Sequence, residues 1–132
     1  MERFADCTTQ LERLAWYRAT ARRYIEAVNA GDLEAVLACY ADNAEVVDPV
    51  FERGFMGKRA LRMFYETVVG HAKLEFAGPI CGTHGNVIAA PVVARARGAT
   101  IQVITLTRFN DQGLIQKYEA YWGPDDVVAD NA

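Results

Sequence analysis

The hydrophobic period of this chain changes halfway along, and that change limits the folds open to it. Up to about residue 69, apart from one short strand pattern over 44–50, apolar residues return every three or four positions, the spacing of one helix face; beyond residue 73 they return every second position, the spacing of one strand face. Helices followed by a run of strands signal an α+β layered domain rather than alternating strand and helix units. A long helix is expected over residues 10–29, with Leu14, Tyr17, Ala21, Tyr24 and Val28 on one side. Thr9 and Glu12 have the spacing of a capping box, and Ala30-Gly31 supplies the stop. Asp32 is placed to cap a short second helix carrying Leu33, Val36, Leu37 and Tyr40. A turn-rich loop over residues 51–57 precedes a third helix over 58–69, with Leu61, Phe64, Tyr65 and Val68 inward.

Strands are expected over 73–77, 87–97, 99–109 and 114–122, with turns at Gly78-Pro79, 82–86, Gly98 and 110–113. In the second of these, Ile88, Ala90, Val92, Ala94 and Ala96 share one parity, opposite Arg95 and Arg97. Such a strip of small residues either leaves an open pocket or lets a curved sheet pack closely on a helix. The last strand sorts into Tyr118, Ala120 and Trp122 on an inward face and Lys117, Glu119 and Tyr121 outward. Both parities of residues 101–109 are half apolar, as in a strand covered on two sides, which predicts a homodimer packed through the sheet. The tail after Gly123, through Asp130-Asn131, is expected to fray. The whole chain, 1–132, reads as one domain with no repeat or boundary.

Asp48 conflicts with its surroundings. In the short strand expected over 44–50 it shares a face with Ala44 and Val46, opposite Glu45 and Val47. An ionised carboxyl on an apolar face costs several kcal/mol unless paired, so it is either a structural acid capping a loop amide near Pro49 or a group kept for chemistry.

Composition narrows the functions. The chain has a formal charge of -3 with scattered Lys and Arg, which leaves no footprint for nucleic acid or anionic membrane. No run approaches the roughly 18 apolar residues of a membrane span, and Met1-Glu2-Arg3-Phe4-Ala5-Asp6 is too polar for a signal peptide, so a cytoplasmic protein is expected. Cys7, Cys39 and Cys81 read as free thiols. His71 and His84 form no metal-ligand pattern, so neither metal nor cofactor is expected.

Larger patterns carry a resemblance. Tyr24-Ile25-Glu26-Ala27-Val28-Asn29-Ala30-Gly31-Asp32-Leu33-Glu34-Ala35-Val36, then Tyr40-Ala41-Asp42-Asn43-Ala44 and Asp48-Pro49, resemble the bacterial Δ5-3-ketosteroid isomerases. Phe64-Tyr65, Arg108-Phe109-Asn110, Gly113-Leu114-Ile115-Gln116 and Ala120-Tyr121-Trp122 fit the same pattern in the same order. The resemblance implies the cone fold of the nuclear transport factor 2-like superfamily: three N-terminal helices on a curved mixed sheet with an internal pocket. That superfamily also holds SnoaL-type polyketide cyclases, epoxide hydrolases and non-enzymatic binding modules, so the fold leaves the function open.

The resemblance also implies roles. Asp48 matches the proton-shuttling base, Tyr24 the oxyanion-binding tyrosine, and Tyr40 and Tyr65 the tyrosines that support it. Thr105 stands where those isomerases keep a protonated Asp, so one oxyanion donor is replaced by a shorter, less acidic hydroxyl. Phe64, Val92, Tyr118 and Trp122 would form the apolar wall around a small hydrophobic, steroid-like substrate. Without the resemblance, each of these residues is also an ordinary core residue. Polyether-type epoxide hydrolases resemble the chain too, including its Tyr121-Trp122-Gly123 ending; they pair the Asp48 position with a second acid on a following strand, here Glu75. Period-two parity sets Glu75 with Lys73 and Ala77, the solvated side, so both placements are carried forward. Three functions follow as expectations: isomerisation by proton transfer α to a carbonyl, epoxide opening or polyketide cyclisation by Asp48 with Glu75, and binding of a hydrophobic ligand without catalysis.

Overall fold

Thr9 starts the first helix: its hydroxyl accepts the Glu12 N–H while the Glu12 carboxylate accepts the Thr9 N–H, both at 3.1 Å. The helix, α1 (Gln10–Ala30), stops where Gly31 turns left-handed at φ 71. α2 (Leu33–Ala38) begins at Asp32, whose carboxylate accepts the Ala35 N–H at 3.0 Å. The third helix, α3 (Lys58–Glu66), is tied to α2 by the Arg62–Glu34 ion pair at 2.6 Å. The structure, a computed structural model, describes residues 3–130.

The strands are β1 (Tyr40–Val47), β2 (Gly54–Met56), β3 (Ala72–Phe76), β4 (Val87–Ala96), β5 (Ala99–Phe109), β6 (Ile115–Tyr121) and β7 (Val127–Ala129). They form one mixed sheet in the order β2-β1-β6-β5-β4-β3, with β7 on β5. Every pairing is antiparallel except β1 with β6, which run parallel with Val46 opposite Tyr118. The helices cover one face, as the α+β reading requires.

α1 is fastened to that sheet along its length. The Gln10 side chain donates to the Thr83 and Gly85 carbonyls, the Trp16 indole to the Gly113 carbonyl at 2.9 Å, and the Arg18 guanidinium to the Ile80 carbonyl at 2.9 Å. Near its last turn Asn29 both donates to the Leu74 carbonyl and accepts the Leu74 N–H, each at 2.8 Å. Between these ties Tyr17 stacks on Phe109 with ring centroids 4.3 Å apart. Leu14, Ile115 and Ile88 close that end of the layer into a dense core. At the other end the walls separate into a cavity.

The fold differs from expectation at four places. Tyr40 starts β1 instead of ending α2, because the Cys39 carbonyl accepts the Ile115 N–H and the chain pairs with β6 there. The loop after Pro49 contains β2, which pairs with β1, and α3 ends at Glu66, followed by a turn. The tail does not fray within the described residues: β7 pairs Val127 to Ala129 with Ile101 to Ala99, the stretch of β5 beyond the reach of β6. Asn131 lies outside the described residues. In β5, Ile101, Val103, Thr105, Thr107 and Phe109 face the helices, and the outward parity leaves Ile104 52% exposed.

Gly113 shows how tightly α1 is held. It sits at φ 76, and a Cβ there would lie 2.5 Å from the Trp16 indole nitrogen and 2.6 Å from the Phe4 ring. Gly113→Ala is expected to cost roughly 2–4 kcal/mol of stability, from left-handed strain plus the collision, measured by denaturant unfolding.

Candidate active site

β1 delivers Asp48 to the cavity. Ala44 and Val46 are fully buried on its inner face, and Asp48 continues that parity one residue past the strand end. Its backbone N–H donates to the Arg53 carbonyl at 2.9 Å, which closes the following loop. The carboxylate caps no loop amide; it accepts the Trp122 indole N–H at 2.8 Å. Of the two readings left open for Asp48, the structural cap is therefore not what the structure contains. The parallel register places the donor, since Val50 N–H bonds the Ala120 carbonyl two residues before Trp122. Burial holds the Asp48 carboxyl above its ordinary pKa of 3.8, opposed by the Trp122 hydrogen bond and by the Arg53 charge.

The cavity beside Asp48 has a volume of about 330 Å³. Phe64, Leu74, Val92 and Val103 give it apolar walls, and the sheet contributes Ala94, Ala96 and Ala120. The small-residue strip of β4 does both things open to it: Ile88 and Ala90 are packed into the core, whereas Val92, Ala94 and Ala96 face open space.

Four tyrosines gather at the inner wall: Tyr24 from α1, Tyr40 from β1, Tyr65 from α3 and Tyr118 from β6. The Tyr65 hydroxyl lies 2.8 Å from that of Tyr24 and 2.5 Å from that of Tyr40. Three hydroxyls joined by two hydrogen bonds leave one hydrogen over. Tyr24 and Tyr65 line the cavity and Tyr40 does not; Tyr65 is fully enclosed. The orientation that uses the spare hydrogen runs Tyr40 to Tyr65 to Tyr24 and presents a donor from Tyr24. Burial, foremost, raises the pKa of each well above 10, so the chain stays protonated at neutral pH.

Two expected residues are not brought to this cavity. Thr105 is buried on the inner face of β5, but its hydroxyl donates to the Ala90 carbonyl at 3.0 Å and it does not line the main cavity. Glu75 lies on the solvated face of β3, where its carboxylate pairs with Arg95 at 3.5 Å. The side that parity favoured is the one it occupies. Phe64, Val92, Tyr118 and Trp122 do line the cavity, with Trp122 acting as a donor and not only as apolar surface.

Sequence reasoning passed over Glu52, Arg53, His71 and Arg97, which also line the cavity. These residues belong to loops and turns, where no periodicity announces which way a side chain points. Arg97 had one available signal. It precedes Gly98 in a two-residue turn and takes φ 54 beside φ 75, a turn in which both central residues are left-handed. Among the described residues no three potential metal-ligand side chains converge, and no helix is long and apolar enough to cross a membrane.

The raised pKa of Asp48 has a sign that can be tested. The folded state holds the Asp48 proton more tightly than the unfolded chain does, so this residue's contribution to stability is most favourable below the ordinary value of 3.8 and declines as pH rises through the folded value. Asp48→Asn keeps an acceptor for Trp122 and removes the buried charge; it is expected to melt at a higher temperature than the parent at pH 7, the gap closing toward pH 3. Trp122→Phe removes the hydrogen bond that favours the ionised form and is expected to move the Asp48 titration further upward, read by carboxyl NMR.

Known proteins are similar to this chain in sequence and in fold. The chain is 27% identical over 114 residues to a steroid Delta-isomerase of Nocardioides simplex, covering 84% of this chain and 93% of that protein. It is 30% identical over 118 residues to the epoxide hydrolase LasB of Streptomyces lasalocidi, covering 83% of this chain but only 42% of LasB. In fold it is similar to a solved structure of SalBIII, described as an epoxide hydrolase/cyclase-like enzyme in pyran ring formation in polyether salinomycin; the TM-score is 0.80 at 21% identity, over 86% of this chain and 95% of that one. The SnoaL-like domain matches residues 21–118, and the chain therefore belongs to the SnoaL-like domain family.

Proposed function

We propose that this protein is an enzyme that isomerises an apolar unsaturated ketone by moving one proton, with no cofactor in the reaction. The observation that carries this reading is the pairing, on one apolar cavity, of a carboxylate with a burial-raised pKa and a hydroxyl that heads a chain of buried tyrosines. The Asp48 carboxylate takes a proton from the carbon α to the carbonyl, and the released electron pair moves onto the carbonyl oxygen. That oxygen accepts the Tyr24 hydrogen bond while Tyr65 and Tyr40 polarise the donor behind it. Asp48 returns the same proton to the far carbon of the dienolate, and the double bond ends conjugated. A base whose pKa is raised by burial is better matched to a weakly acidic carbon than an ordinary Asp. The steroid Delta-isomerase relative supports the reaction class.

A second reading draws support from LasB, an epoxide hydrolase. Here Asp48 would take a proton from an attacking hydroxyl or water as its oxygen bonds an epoxide carbon; the carbon–oxygen bond of the ring breaks and the leaving oxygen collects a proton from Tyr24, to which Asp48 returns one. Glu75 has no part in it, since its side chain faces away from the cavity. The other carboxylate on the cavity wall is Glu52.

Two assays separate the readings. Conversion of a β,γ-unsaturated steroid ketone to its conjugated isomer is followed by ultraviolet absorbance, and opening of an aryl epoxide by product chromatography. Under the first reading Asp48→Asn is expected to lower kcat for the ketone at least about 1000-fold, and Tyr24→Phe about 100 to 1000-fold. Glu75→Gln is expected to leave the rate unchanged. With Asp48 active only when ionised, kcat/KM falls as pH drops below its raised pKa and levels off above it. Ketone turnover retained by Asp48→Asn overturns the first reading; epoxide opening without ketone turnover establishes the second.

A further inference from the structure

Tyr118 brings a fourth hydroxyl to the inner wall, outside the short hydrogen bonds that join Tyr24, Tyr65 and Tyr40. It rises from β6 between Val46 of β1 and Thr107 of β5, and its ring lies 5.2 Å from that of Tyr24, tilted by 46°. The residue is only 7% exposed, yet among the described residues its hydroxyl makes no hydrogen bond within 3.5 Å and has only a long, weak contact with the Tyr24 hydroxyl, whereas the other three buried tyrosines of the cluster are joined by short ones. A buried phenolic hydroxyl nearly always finds a partner. No sealed side-chain nitrogen or oxygen among the described residues lacks one, so the Tyr118 hydroxyl is not sealed in the core. The open space next to it is the cavity, whose wall it shares with Asp48 and Tyr24.

The residue expected to supply a second donor is already committed. The Thr105 hydroxyl donates to the Ala90 carbonyl and stands outside the main cavity. We propose that Tyr118 takes that place: its hydroxyl is the second hydrogen-bond donor to the substrate oxygen, working beside Tyr24, so that the oxygen is held by two tyrosines. This rests on the reading of Tyr24 as the oxyanion donor.

The surroundings fit the role. Burial, then the nearness of Tyr24 and of the Asp48 charge and a weak donor contact to the Tyr24 hydroxyl, raises the Tyr118 pKa well above 10, so the group is a neutral donor across the working range. The Tyr24 and Tyr118 hydroxyls are close enough to shift each other's ionisation, and with the chain running from Tyr65 to Tyr24 the weak contact between them is one that a substrate oxygen can displace. The two free hydrogens are then available to one oxygen, which has two lone pairs to accept them. A substrate held in this way presents an oxygen that gains negative charge in the reaction, as an enolate or an opened epoxide does, and an oxygen-free hydrocarbon gains nothing from it.

The test uses 2-naphthol, whose ionisable oxygen mimics the developing oxyanion, and naphthalene, which has the same apolar body without the oxygen. Both are titrated into the full chain and into Tyr118→Phe, Tyr24→Phe and the double variant, by ligand fluorescence. Tyr118→Phe removes one oxygen and no hydrogen bond within 3.5 Å, so its circular dichroism and melting are expected to stay close to the parent. It is expected to bind 2-naphthol at least about tenfold more weakly while naphthalene affinity is unchanged. Unchanged 2-naphthol affinity in Tyr118→Phe, with Tyr24→Phe impaired, overturns the assignment of Tyr118 and leaves Tyr24 standing. Affinity insensitive to Tyr24→Phe, or no binding of 2-naphthol by the parent, overturns both. An equal loss for naphthalene in Tyr118→Phe shows a packing role and also overturns the proposal.

Discussion

The parallel pairing of β1 with β6 is the contact on which the rest of the site depends. It sets Val46 against Tyr118 and Val47 against Glu119, so that the chain leaves β1 at Asp48 just as β6 approaches Trp122. The indole then meets the carboxylate at 2.8 Å. A shift of one residue would turn every side chain of either strand to the opposite face, sending Tyr118 and Ala120 to solvent and Lys117 and Glu119 into the cavity. Base, donor and cavity wall come from both halves of the chain, and this one ladder joins them.

A site of this kind needs a polar group to be buried without being neutralised by its partner. The structure balances Asp48 between opposing effects: burial raises its pKa, while the Trp122 hydrogen bond and the Arg53 charge lower it. An Arg in direct contact would make it an ordinary weak base, and removal of the indole would leave it protonated too readily. The tyrosines meet a different need. Their hydroxyls satisfy one another, so three polar groups sit deep in an apolar layer at little desolvation cost, and in the proposed orientation the unused hydrogen of the chain faces the cavity. The rigid ties of α1 to the sheet keep Tyr24 at that point.

The two functional readings share this machinery. Proton abstraction from carbon and proton abstraction from an attacking hydroxyl both use a buried carboxylate, and an enolate oxygen and an epoxide oxygen both accept from a phenol. Under either proposed reading, the shape of the cavity and its rim would select the substrate more than Asp48 and Tyr24 do. The rim residues Glu52, Arg53, His71 and Arg97 belong to loops and turns, the parts of a fold that vary most easily.

Periodicity and cap chemistry in the sequence by themselves determined the three helices, the strand run, the layered class, the inward parity of Tyr118, Ala120 and Trp122, and the anomaly of an acid on an apolar face at Asp48. These are local: each depends on residues within a few positions of one another. Tyr40 as a strand residue, β2 and β7 were not legible, because each is a strand only by virtue of a partner distant in the chain. Tertiary structure alone decided that Trp122 donates to Asp48, that Thr105 spends its hydroxyl on Ala90, that Glu75 pairs with Arg95 outside, and that Tyr118 stands on the cavity wall beside Tyr24. Parity states which face a side chain takes, but the atom that a hydroxyl or carboxylate meets there is fixed by which strands pair and in what register, and that is a long-range property of the whole chain.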